Sequence, residues 1–144
     1  MVIVSPDVGG SKRAAKLASD LGLDFVLLNR GKEGVMLIGD VKDRRILIFD
    51  DLVDTSQTLV DAARALKTHG SSDVYGLIIH GLFSSDALSR IQDTEELNMV
   101  FVSNTISQDE HVRLCSKIVS YDVSSKLMDA MERCQKGQSV SEVF

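Results

Sequence analysis

An α/β fold on a mostly parallel sheet, with helices on both faces and so three layers deep, is what this chain of 144 residues predicts. Two observations carry that prediction. Short β-rich runs alternate with amphipathic helical stretches along the whole length. The best strand candidates, "VIVS", "ILIF" and "MVFVS", are continuously apolar, not alternating, which is the pattern of strands buried on both faces. No internal repeat, low-complexity run or linker interrupts the alternation, so residues 1–144 read as a single domain.

The elements follow in order. Residues 2–5, "VIVS", predict a strand. Residues 9–22 predict a helix with Ala14, Leu17, Ala18 and Leu21 on one face and Gly22 as its stop. A second strand spans 24–29, followed by "RGKEG" (30–34), a basic loop bounded by glycines. Residues 35–40 hold a short extended segment, and "VKDRR" is a polar turn. "ILIF" (46–49) is a strand of the fully buried type. The helix over 56–70 turns Leu59, Val60, Ala63 and Leu66 inward and ends at Gly70. A strand over 74–83, a short helix over 85–92, and strands over 99–103 and 117–123 come next. The last helix spans 124–137, with Met128 and Met131 spaced as core residues.

Bulk properties narrow the function classes. Net charge is −5, so no overall basic field attracts nucleic acid or an anionic membrane. Any phosphate must therefore be held locally. Apolar runs fall far short of the ~18 residues that a membrane span needs, and the N-terminus lacks signal-peptide regions. Cys115 and Cys134 have no metal-type spacing and read as reduced structural residues of a cytoplasmic protein. Met1 is followed at once by a buried-strand pattern, which suggests half of something longer.

In doubly wound sheets, ligands sit beyond the carboxyl ends of the strands. That rule selects the loops "SPDVGG", "NRGKEG", "DDLVDTSQT", "HGLFSSD" and "SNTISQDE". The third is the most informative. Asp50 and Asp51 follow an apolar strand directly, then come Asp54, Thr55, Ser56, Gln57 and Thr58 as a helix opens. The first turn of a helix has unpaired amides and a partial positive charge. Such amides with flanking hydroxyls can enclose a phosphate without a lysine. The upstream acids can accept hydrogen bonds from ligand hydroxyls, or partner a magnesium ion brought by the phosphates. A sugar phosphate needs both functions close together. The plainer alternative is that Asp54 or Thr55 only caps the helix and the other acids are solvated.

"ILIFDDLVDTSQT" also resembles the phosphoribosyl-diphosphate loop of type I phosphoribosyltransferases: a hydrophobic strand, two acids, two apolar residues, then Asp-Thr-small-x-Thr. "VIVSPDVGGSKRA", "IGDVKDRRILIFDDLVDT", "IIHGLFS", "VSNTI" and "GQSVSEVF" together resemble, in order, the C-terminal half of the ribose-phosphate diphosphokinases. The resemblance runs from Val2 to Phe144. It implies a type I phosphoribosyltransferase-like fold. It also implies transfer of diphosphate from ATP to ribose 5-phosphate, giving phosphoribosyl diphosphate and AMP, with Mg2+ as cofactor. By the family pattern, Asp54, Thr55, Ser56, Gln57 and Thr58 hold the 5-phosphate. Asp50 and Asp51 engage the ribose hydroxyls directly or through magnesium, and Asp7 matches the metal- and ATP-side aspartate. Gly9 and Gly10 would let the backbone approach ligand closely. A homo-oligomer, or association with an N-terminal half, is implied as well.

Three departures from that pattern stand out. Ser56 and Gln57 replace a small residue followed by glycine, so Gln57 must reach the loop geometry with a Cβ present. The basic loop is several residues short, with Arg30 near the place of the family's catalytic lysine and Lys32 near that of a following arginine. The N-terminal half is absent, which predicts little synthetase activity for this chain alone.

Other residues read more plainly. His80 ends an apolar strand and is either structural or, by the resemblance, at the site. His69 and His111 read as surface residues, and "DTEE" (93–96) as a solvated charge cluster. Lys12 and Arg13 read as solvated, with an allosteric phosphate as the family's alternative. Two further function classes stay open: a stand-alone phosphoribosyltransferase, for which no insertion is long enough to recognise a base, and a non-catalytic regulatory relative that associates with active synthetase.

Overall fold

The computed structural model describes residues 1–31, 34–141 and 143. Seven strands form one sheet among them: β1 (Val2–Ser5), β2 (Asp24–Gly31), β3 (Gly34–Ile38), β4 (Ile46–Val53), β5 (Val74–Gly81), β6 (Met99–Ser103) and β7 (Ile118–Tyr121). Their order across the sheet is β3-β2-β1-β4-β5-β6-β7. Every neighbouring pair is parallel except β2 and β3. The helices are α1 (Ser11–Leu21), α2 (Gln57–Thr68), α3 (Ala87–Asp93), α4 (Asp109–Leu114) and α5 (Ser124–Gln135).

The sheet grows outward from β1 in both directions. Right-handed crossovers then place α1 on one face and α2 and α3 on the other. The buried residues confirm the division. Ile3 packs with Ala14 and Ala18 of α1, joined by Leu17, Phe25, Leu47 and Phe49. Val2, Val4, Ile46 and Ile48 point the other way and pack with Leu59, Ala63 and Leu66 of α2 and with Ala87 and Ile91 of α3. The fold class is therefore as expected, a mostly parallel sheet between layers of helix.

Several boundaries differ from the sequence expectation. Within the supposed loop at 30–34, residues 30, 31 and 34 are strand: Arg30 and Gly31 continue β2 and pair with Val35 and Gly34 of β3, and residues 32 and 33 lie outside the described residues. Glycines and charges imitate a loop because an edge hairpin needs no apolar pattern. β4 runs on to Val53, so Asp50 and Asp51 lie within the strand instead of after it. α4 was not anticipated, because six residues are too few to display a helical period. β5 and β7 are shorter than expected at their ends.

Some side chains also depart from expectation. Leu21 is exposed at the last turn of α1, although Gly22 does end the helix with φ of 64°. Met128 and Met131 are exposed, at 63% and 71%, and no residue of α5 is buried. Helical spacing reports that a helix has an apolar face, not that its own chain covers it. His111 is more than a surface residue. Its ring packs edge-on against Phe83, with centroids 5.3 Å apart, and its Nδ1 lies 2.8 Å from Gln108 Oε1. Within 93–96, Thr94 is buried and donates its hydroxyl to the Arg90 carbonyl. Cys115 is buried and Cys134 exposed, and both are free. Among the described residues, no helix is long and apolar enough to cross a membrane.

Candidate functional site

The carboxyl ends of β1 and β4 open into a cavity of about 320 Å³. Asp7, Asp50, Asp51 and the run Asp54–Thr58 all line it, with Leu52, Val53 and Leu59. The structure thus gathers eight of the ten residues that the sequence singled out. The register explains why. Val4 of β1 is level with Ile48 of β4, so two residues further on the β1–α1 loop faces Asp50 and Asp51.

The β1–α1 loop is held by its own side chains. Asp7 Oδ1 accepts the Gly10 amide at 2.9 Å, and Ser5 Oγ donates to the Asp7 carbonyl at 2.8 Å. A Cβ on Gly10 would lie 3.2 Å from Ser5 Oγ, so the glycine makes room for this bracing. Gly10 therefore serves the loop itself more evidently than an approach to ligand.

Asp50 and Asp51 sit side by side but differ in environment. Asp50 Oδ1 accepts the Asp51 amide at 3.0 Å. Burial pushes the Asp50 carboxyl up to about 6; the Asp51 amide opposes this, and the charges of Asp7 and Asp51 add to it. Asp51 instead reaches outward, with Oδ2 2.5 Å from the Arg13 guanidinium.

The loop into α2 is shaped by one unusual residue. Ser56, at the N-cap, adopts φ 61° and ψ 0°, a left-handed conformation that disfavours side chains. Its buried hydroxyl donates to the Ala87 carbonyl at 3.1 Å instead of to the helix it begins. The Ser56 side chain therefore does not cap the helix it begins. Gln57 carries none of the strain expected of it. It opens the helix with no positive φ, and its amide reaches Asp61 at 2.7 Å. The left-handed position of this loop falls on Ser56.

Two residues that the sequence did not single out brace this loop. Ser84 bonds to the Asp54 carboxylate, and its amide donates to the Asp54 carbonyl at 3.1 Å. Arg90 Nη1 donates to the Thr55 carbonyl at 2.5 Å while Nη2 pairs with Asp86 at 2.6 Å. These contacts span 30 and 35 positions of chain, and no local pattern announces them. Arg13 is a third residue missed, since its helical position alone suggested a solvated side chain.

The remaining candidates stand apart. Arg30 lies in β2, and the register puts its backbone level with Leu52, two strands over. At a strand spacing of about 4.8 Å that is roughly 10 Å away, across a column where β1 has ended. Lys32 lies outside the described residues. His80 Nδ1 is 2.8 Å from Thr105 Oγ1, and His80 is not among the cavity's lining residues.

The donor set suits a hard cation. Asp7, Asp50 and Asp51 offer only oxygen; Asp50 is raised chiefly by burial, and the charges of Asp7 and Asp51 add to it. No three such groups converge as a preformed metal cage among the described residues. Magnesium does not require one, because it keeps several waters and takes one or two carboxylates along with substrate phosphates.

Comparisons with known proteins place the chain in a family. The family described as phosphoribosyl synthetase-associated domain matches residues 5–144. Ribose-phosphate pyrophosphokinase 2 of Schizosaccharomyces pombe is 42% identical over 149 residues, covering 99% of this chain and 46% of the relative. The crystal structure of phosphoribosylpyrophosphate synthetase from Mycobacterium smegmatis superposes with a TM-score of 0.87 at 28% identity, over 95% of this chain and 45% of that one. Orotate phosphoribosyltransferase from Aeropyrum pernix shares the fold, with a TM-score of 0.52 at 16% identity over 86% of this chain and 61% of that one. The chain thus spans about half the length of the synthetases it matches. With that fold and that match over nearly its whole length, the chain belongs to the phosphoribosyl synthetase-associated domain family.

Proposed function

We propose that this chain is the ribose-5-phosphate-binding, C-terminal part of a ribose-phosphate diphosphokinase, which moves diphosphate from ATP to ribose 5-phosphate. One observation carries the reading: Asp7, Asp50 and Asp51 line the same cavity as the N-terminal turn of α2. The 5-phosphate would lie on the amides and hydroxyls of Asp54–Thr58, where the helix end favours an anion. Asp50 and Asp51 would accept the ribose hydroxyls. Asp7, with one of these acids, would hold magnesium, which supplies charge neutralisation for the transferred diphosphate. Arg30 and Lys32 are proposed to meet the charge that develops during transfer. The chain's own contribution is alignment, since phosphoryl transfer leaves the protein mostly positioning and electrostatic work.

Calorimetry with ribose 5-phosphate and magnesium tests this directly. The chain is expected to bind, and the double change Asp50→Ala, Asp51→Ala to abolish the signal. Equal affinities would remove those acids from the site. Thr58→Val should weaken phosphate binding by roughly 1–3 kcal/mol, the range for removing a hydrogen-bond partner of a charged group.

A second reading is favoured by the antiparallel pairing of Gly31 with Gly34, only three positions apart, which leaves the basic segment short. In it, the chain is a non-catalytic relative that binds active synthetase. Supplying an N-terminal half in trans separates the two. ATP-dependent formation of AMP supports the first, and an altered rate of an active synthetase without turnover by this chain supports the second.

A further inference from the structure

We infer that Arg13 is a positioning residue for Asp51: it occupies that carboxylate in the unliganded chain and is displaced when a cation or sugar hydroxyl takes its place. The inference rests on the proposed reading that Asp51 is a ligand-holding acid. Arg13 Nη2 lies 2.5 Å from Asp51 Oδ2, across 38 positions of chain. Both side chains stay accessible, at 56% and 46%, so the pair lies at the surface instead of being sealed in the core, and Asp51 is its member that lines the cavity.

The geometry makes this contact part of the site's construction. The Arg13 amide donates to the Gly10 carbonyl at 3.1 Å, and the Gly10 amide is fixed by Asp7. The loop that carries Asp7 to the cavity therefore also sets the point from which Arg13 reaches Asp51. The two neighbouring acids are thereby made unequal. Asp50 turns back to the Asp51 amide, whereas Asp51 is neutralised from outside. An exposed ion pair contributes little to folding stability. Such a pair is weak enough to be exchanged for a ligand, and strong enough to be felt as competition.

The test titrates Mg2+ alone into the full chain by calorimetry at low ionic strength. It compares wild type, Arg13→Gln, Arg13→Lys, Asp51→Asn and the Arg13→Gln, Asp51→Asn double variant. Arg13→Gln is expected to bind Mg2+ about threefold more tightly, the size an exposed pair commands. Arg13→Lys should stay near wild type, and the gain should fade as added salt screens the pair. In the Asp51→Asn background, Arg13→Gln should change nothing. Unchanged Mg2+ affinity in Arg13→Gln, with Asp51→Asn clearly weakened, would overturn the role of Arg13 and leave the proposed site standing. Asp51→Asn binding Mg2+ as tightly as wild type would overturn both. A thermal melt of each variant separates these outcomes from loss of fold, since removing an exposed pair should barely move the midpoint.

Discussion

Single residues set the character of this site, and Ser56 shows how. A non-glycine side chain at φ 61° persists only where its surroundings fix it. Here the fixing contact is the buried hydrogen bond to the Ala87 carbonyl. Ser56→Ala should therefore cost about 0.5–1.5 kcal/mol, the net worth of one such bond. Ser56→Val should cost more, because a β-branched residue at positive φ adds strain of about 1–3 kcal/mol. Urea unfolding of the two variants measures both. Asp50 makes a second residue-scale prediction. Its folded value of about 6 lies above its ordinary 3.8. Between those values the folded chain holds more protons than the unfolded one, so stability falls as pH rises through the window. The contribution is fully present below 3.8 and gone above about 6. The wild-type midpoint, relative to that of Asp50→Asn, should decline between pH 4 and 6 and stay flat above it. A flat difference throughout would mean that Asp50 titrates as an ordinary surface acid.

At the scale of elements, legibility followed how local the physics was. β4 and α2 could be read because an apolar run, two acids and a helical period are adjacent in the chain, and Leu59, Val60, Ala63 and Leu66 are all buried as expected. Asp7, Asp50 and Asp51 were legible for the same reason: the rule about strand ends needs only local strands to apply. The hairpin at Arg30 was not, because its partner strand reveals itself only through pairing, and "RGKEG" has the composition of a turn. The left-handed Ser56 was not, because the group holding it lies 31 residues away. α5 misled in the other direction, since its methionines keep helical spacing but meet no cover among the described residues. That contrast can be measured. Leu66→Ala in buried α2 should cost about 2–5 kcal/mol, as large-to-small core changes do. Met131→Ser on exposed α5 should stay within about 0.5 kcal/mol, as surface changes do. A large loss from Met131→Ser would show that α5 is packed in solution.

The whole molecule inherits an asymmetry from its topology. Strands added beyond β4 by right-handed crossovers all carry their helices to one face, so α1 is left to cover the other. It reaches Ile3, Phe25, Leu47 and Phe49 but not the far side of the sheet. There Tyr75, Leu77 and Phe101, with Met1 and Arg45, line an open groove of about 370 Å³ bordered by Leu47. Tyr75 and Phe101 stand with ring centroids 6.4 Å apart across neighbouring strands. Contiguous apolar surface of this kind is uncommon on a folded monomer and tends to mark contact with something else. It gives a direct optical prediction. The native chain should bind an apolar dye such as anilinonaphthalene sulfonate at neutral pH, without the lost near-ultraviolet dichroism that accompanies dye binding by a molten state. Leu77→Lys with Phe101→Lys should strip most of that fluorescence, since both side chains are only partly covered and the strands keep their pairing. The same dye signal in the double variant would place the accessible apolar surface elsewhere, with the exposed Leu127, Met128 and Met131 of α5 as the surface to test next.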